Sequence, residues 1–216
     1  MSNLKLSHCS IMNLAFSALF LILGSFLSSS ATSVEECRAL VTPLSTFEPQ
    51  LGRWNFVLGF IDSKPHQVLF KTTQTQWIEY VKTGSDSQPE YQQLIGIKHT
   101  TYCKYGTFPM TFHSNSAVMD KSNFTCTYQS LPTCEDCLLY LINARNNDII
   151  VNSMDNPDPQ TISQVKHYRA FYMMTKGNSI KHSDFLHAMK QARCLGFTGE
   201  PDFVLDPASE YCEKQG

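Results

Sequence analysis

The sequence predicts an all-β fold, an eight-stranded antiparallel up-and-down barrel with one C-terminal α-helix packed outside. Two observations carry this expectation. Short runs rich in Tyr, Phe, Ile, Val and Thr follow one another closely, separated by turn residues, which fits a sandwich or a closed barrel in one domain. A single amphipathic segment comes after them, where a helix would lie on the barrel wall.

The first run begins at Trp54. Trp54, Phe56, Leu58 and Phe60 alternate with Asn55, Val57 and Gly59, the period of a strand with one face in a core. Further runs lie at Gln76–Val81, Gln92–Lys98, Thr100–Lys104, Thr107–His113, Phe124–Tyr128, Leu138–Asn143 and Tyr168–Thr175. Gly84-Ser85-Asp86 and Asn156-Pro157-Asp158-Pro159 supply turn chemistry between them. Ser183 is placed to cap a helix over Asp184–Cys194, with Phe185, Leu186, Met189 and Ala192 at helical spacing and Gly196 just past its end. A short strand is expected at Phe203–Leu205.

Residues 1–33 read as a signal peptide. Lys5 precedes an apolar run from Ile11 to Leu27, and Ser29-x-Ala31 or Ala31-x-Ser33 suits a signal peptidase. A membrane anchor is the alternative, although the run is short for a span. Cleavage would leave one domain, residues 34–216, outside the cell. With 17 Lys and Arg against 19 Asp and Glu, the net charge is −2. That balance lacks the basic footprint of a nucleic-acid binder and any polybasic membrane tether.

Of eight cysteines, Cys9 lies in the leader, which leaves Cys37, Cys103, Cys126, Cys134, Cys137, Cys194 and Cys212. In an oxidising compartment these read as bridges, and the odd number leaves a thiol unpaired or intermolecular. Asn123-Phe124-Thr125 is an acceptor for N-linked sugar. Cys134-x-x-Cys137 has neither the βαβ setting of a redox site nor further zinc ligands at suitable spacing, so a structural bridge is expected there, with Cys126 left over. A hairpin of Phe124–Tyr128 on Leu138–Asn143 also permits Cys126–Cys137. His182 and His187 lie five apart on different helix faces, and His113 and His167 have no evident carboxylate partner. No metal site or cofactor is expected.

Gly52-Arg53-Trp54 at the first strand and Lys176 at the end of the last resemble the signature positions of the lipocalin superfamily. Leader, Cys, Gly-x-Trp, barrel, basic residue, helix with Cys and terminal Cys occur in the order seen in the group containing orosomucoid and apolipoprotein M. Within that group, Leu131 to Leu138 and Ala192 to Phe203 resemble the fish saxitoxin and tetrodotoxin-binding protein-like lipocalins. The similarity runs from Cys37 to Cys212, but the toxin-binding examples hold two such units and this chain one.

The resemblance implies bridges Cys37–Cys194 and Cys103–Cys212, and structural roles for Gly52, Trp54 and Lys176, with the cation over the indole. It implies a monomeric, extracellular plasma carrier for a small hydrophobic or amphipathic ligand: a lipid, retinoid, steroid or alkaloid toxin. Lipoprotein particles are a further expected partner, and Cys126 is a candidate for an intermolecular disulfide. Strand alternation turns Phe56, Leu58, Phe60, Trp77, Ile95, Tyr140 and Tyr172 toward the cavity. The alternatives are a secreted interaction or acute-phase-type glycoprotein with no obligate ligand, and a lipocalin-type enzyme. Prostaglandin D synthase activity needs a cavity-facing cysteine soon after the Gly-x-Trp strand. No cysteine stands between Cys37 and Cys103, and Cys126 adjoins the glycosylation acceptor, so no enzyme is expected.

Overall fold

Strand β1 (Gly52–Ile61) decides the architecture, because two different strands pair along one edge of it while a third pairs along the other. A computed structural model describes residues 33–48, 50–121, 124–146 and 166–214. The leader, Asn123 and the Asn156–Pro159 turn lie outside the described residues. The barrel lies within the unit formed by residues 35–216.

Among the described residues, β2 (Thr73–Ser85), β3 (Gln88–His99), β4 (Cys103–Phe112), β5 (Ala117–Lys121), β6 (Phe124–Ser130), β7 (Cys137–Asn146) and β8 (His167–Thr175) pair in sequence order, all antiparallel. β1 closes the ring. Gly52 to Asn55 pair with β2, and Asn55 to Ile61 pair with β8. The short β9 (Phe203–Val204) then takes the edge that β2 has left, pairing with Leu58 and Gly59. The result is a closed eight-stranded barrel with one added strand, the lipocalin fold. Closure leaves no open edge for the ring to offer another chain.

The runs read as Thr100–Lys104 and Thr107–His113 are one strand, β4. Residues 100–102 form the turn before it, where the His99 N–H donates to the Tyr102 carbonyl at 2.9 Å. Gly106, between those two runs, pairs with Ile95 within the ladder. β5 was not read, being short and partly charged.

Three helices are present among the described residues where one was expected. α1 (Val34–Val41) buries no side chain, so it shows no apolar stripe. α2 (Lys64–Thr72) buries only His66. α3 (His182–Cys194) begins earlier than expected, with Lys181 at the cap position. Ser183 therefore lies inside the first turn, and its hydroxyl reaches Asp184 instead of capping backbone. The buried stripe of α3 is Ala188, Met189, Gln191 and Ala192, while Leu186 faces water. Gln191 is fully buried and its amide donates to the Leu40 and Pro132 carbonyls, both at 2.8 Å, joining α3 to α1 and to the loop before β7.

Bridges Cys37–Cys194 and Cys103–Cys212 are both present. The first fastens α1 to the end of α3. The second anchors a C-terminal strap, which is further held where Thr75 donates to the Glu210 carbonyl and Trp77 to the Cys212 carbonyl.

Candidate functional site

Within the barrel lies a partly open cavity of about 110 Å³. Phe56, Ile95, Tyr140 and Tyr172 line it, four of the seven residues that alternation turned inward. Leu58, Phe60 and Trp77 do not. Each correction has a physical cause.

On β1, Phe56 pairs with Met174 but Leu58 with Met173, so Val57 is an extra residue in the ladder. Its carbonyl accepts from the N–H of Leu205 in the C-terminal segment. Such a bulge exchanges the faces of the strand beyond it. Gly59 now lies on the cavity side opposite Tyr172, and a side chain there would stand only 3.0 Å from Phe70 and 3.3 Å from the Tyr172 ring. Leu58 and Phe60 turn to the outer wall, where Phe60 meets Phe171 and Phe197.

On β2 the inward set is Gln76 and Ile78, one step out of phase with Trp77. Trp77 is 2 % exposed because the C-terminal strap covers it. Arg53 lies over its ring, 4.7 Å from the centroid. The indole also lies across Gly96, where any Cβ would fall inside its atoms.

The rest of the wall comes from strands whose alternation is regular. Phe124, Cys126 and Tyr128 on β6, Ile142 on β7, and Tyr168 and Met174 on β8 each stand two residues, or a multiple of two, from another lining residue of the same strand. Their signal was in the sequence, since the same period that selects Tyr140 selects Ile142. Gln93, Phe108 and Met119 complete the surface. Edge-on ring pairs stiffen it, Phe56 on Tyr172 at 5.2 Å and Tyr128 on Tyr140 at 5.8 Å. Phe70 of α2 stacks on Tyr172 at 5.2 Å, on the side to which Gly59 also turns, so this helix braces that ring.

Among the described residues, no Asp, Glu, Lys, Arg or His lines the space. Burial pushes the phenols of Tyr128, Tyr168 and Tyr172 well above their ordinary range, and that of Tyr140 upward too, so all stay protonated. Tyr128 donates to the Met119 sulfur at 3.8 Å and interacts with the Gln93 amide. The Tyr80 and Tyr140 hydroxyls approach one another, but neither completes a hydrogen bond of good geometry. The Gln93 Oε1 has no partner.

Cys126 is unbridged and 4 % exposed. It therefore cannot reach a second chain, which corrects the expectation of an intermolecular disulfide. Alternation sends Cys126 inward between Thr125 and Thr127. Desolvation raises its thiol, and no histidine lies on the wall to deprotonate it, so the site offers a neutral thiol and no thiolate. The structure joins Cys134 to Cys137. Cys126 pairs with Ala144 on β7, too far along the strand from Cys137 for a bridge.

At one end of the barrel Trp54 is buried beneath Lys176, which follows directly on β8. At the other end Arg169 donates from its backbone N–H and its Nε to Asp62, at 2.6 and 2.9 Å, and from a further guanidinium nitrogen to the Leu195 carbonyl. These contacts hold the ends of β1 and β8 together, and with them the span that carries Phe56 and Tyr172.

No protein-family model and no curated protein matches the chain. Solved structures do. The siderocalin Ex-FABP, described as functioning through dual ligand specificities, matches at TM-score 0.56 and 9% identity, over 78% of this chain and 97% of its own. A second siderocalin, described as revealing a dual ligand binding mode, gives 0.55 at 10% identity, over 76% and 93%. Lipocalin 12 from rat epididymis gives 0.53 at 9% identity, over 76% and 88%. At such identities the likeness is one of fold.

Proposed function

We propose that this chain is a secreted member of the lipocalin superfamily that reversibly binds a small apolar molecule inside its barrel. The observation that carries the reading is the cavity of about 110 Å³ inside the barrel, walled mostly by aromatic and aliphatic side chains, with no charged one among the described residues. The siderocalins of the same fold are described as ligand binders, which supports it. Bridges Cys37–Cys194 and Cys103–Cys212 support the narrower placement in the orosomucoid and apolipoprotein M group. Removal of the leader, a sugar on Asn123, a monomeric state and circulation in plasma, with lipoprotein particles as a further partner, belong to the same proposal.

Volume narrows the ligand. An engineered apolar cavity of about 150 Å³ binds benzene. The space here suits a molecule built on one ring, and a retinoid, steroid or lipid chain would project out of it or need side chains to move. A cationic alkaloid toxin would be buried with no counter-ion, at heavy cost. Burying roughly 200–250 Å² of apolar surface at about 25 cal/mol per Å² gives about 5–6 kcal/mol before association costs, so binding no tighter than about millimolar is expected.

Calorimetric titration with toluene tests the proposal. Saturable one-to-one binding is expected, together with its loss in Ile95→Trp, which fills the space. The small volume also favours a second reading, a secreted interaction glycoprotein with no obligate ligand. Absence of saturable binding would establish that reading in its place.

A further inference from the structure

We infer that the barrel selects a ligand with one hydroxyl group on an otherwise apolar, uncharged body, recognised by Gln93 and Tyr140. This inference rests on the binding role proposed above and narrows its chemistry.

Gln93 is 2 % exposed and Tyr140 1 %, and both line the cavity. A primary amide in a barrel interior is costly unless both of its ends are paired. One end of Gln93 meets Tyr128, whose own proton goes to the Met119 sulfur. Its Oε1 is left with no partner. Leu or Met would fill the same volume at no such cost, so the amide is unexplained by packing alone. Tyr140 presents a second polar atom on the same wall, opposed only by the Tyr80 hydroxyl in poor geometry.

A ligand hydroxyl satisfies both atoms at once, donating its proton to Gln93 Oε1 and accepting the proton of Tyr140. A hydrocarbon leaves them as they are. A carboxylate has no proton for Oε1 and brings a charge that nothing on the wall compensates. An ammonium can donate, but it too would be buried without a counter-ion, because no carboxylate lines the space.

The test uses protein carrying ¹³C-methyl methionine, since Met119 and Met174 report from the wall. Their methyl resonances are followed during titration with toluene, benzyl alcohol, benzoate and benzylammonium at neutral pH, four probes of similar size. Benzyl alcohol is expected to bind about 5-fold more tightly than toluene, the worth of one net hydrogen bond. Both ions are expected to bind at least about 30-fold more weakly than the alcohol. Gln93→Leu and Tyr140→Phe, the second of which keeps the ring and its packing, should each bring the ratio of alcohol to toluene affinity down to about one or below. Equal affinity for toluene and benzyl alcohol in the unsubstituted protein overturns the inference, as does a preference that survives both substitutions. If none of the four probes moves these resonances, the binding role itself falls and this inference falls with it.

Discussion

The Lys176 ammonium lies 3.6 Å from the centre of the Trp54 indole, with the indole N–H donating to the Gln50 carbonyl at 2.8 Å. The ammonium also donates to the Leu51 carbonyl at 3.3 Å. Gly52 has a φ of 90°, a left-handed conformation that glycine adopts without strain at the turn into β1. This contact ties the beginning of β1 to the end of β8. Lys176→Met should cost about 1 kcal/mol and lower the melting temperature by about 2–4 °C, with Lys176→Arg close to unchanged. Thermal unfolding followed by circular dichroism reads both. Equal melting temperatures for Met, Arg and Lys would mean the cation adds nothing.

Cys126 should be unreactive in the folded protein. Its thiol is buried on the cavity wall and raised by desolvation, while the other cysteines from residue 34 onward are bridged. For a chain beginning at residue 34, dithionitrobenzoate should find no thiol under native conditions and one per chain in strong denaturant. Fast native labelling would place Cys126 elsewhere.

His66 makes stability depend on pH. Burial is the larger influence and the nearby Asp62 opposes it, so the imidazole is held down at about 4 against an ordinary 6.5. Its Nδ1 lies 2.7 Å from the Ser63 hydroxyl, and its ring packs on Tyr168 at 4.1 Å. Between these two values the unfolded chain binds more protons than the folded one. The stabilisation is complete above pH 6.5 and is lost as pH falls toward 4, by at most about 3 kcal/mol. Urea unfolding at pH 7 and at pH 4.5 should show this loss, and His66→Phe, which preserves the ring contact, should reduce it. An equal loss in both proteins would assign the pH dependence to other groups.

The barrel was legible in the sequence because strands whose outer face meets water alternate cleanly, as β6 does with Phe124, Cys126 and Tyr128 inside. The cavity wall was legible only where that alternation stays in phase. It failed on β1, where the Val57 bulge is set by pairing with β8 and β9, strands more than a hundred residues away. It failed on β2 because both faces are covered, one by the cavity wall and the other by the C-terminal strap over Trp77, so size and hydrophobicity no longer tell inside from outside. Helix α2 escaped notice for a related reason, since His66 is its only buried residue. Gln93 escaped because a glutamine carries no sequence signal of burial.

The central claim is that a small apolar molecule enters the barrel, and the location of bound toluene tests it most directly. Intermolecular nuclear Overhauser effects should connect the toluene protons with the methyl groups of Ile95, Met119, Ile142 and Met174, which line the cavity. Contacts confined to exposed side chains such as Val68, Leu186 and Val204, or no contacts at all, would contradict it.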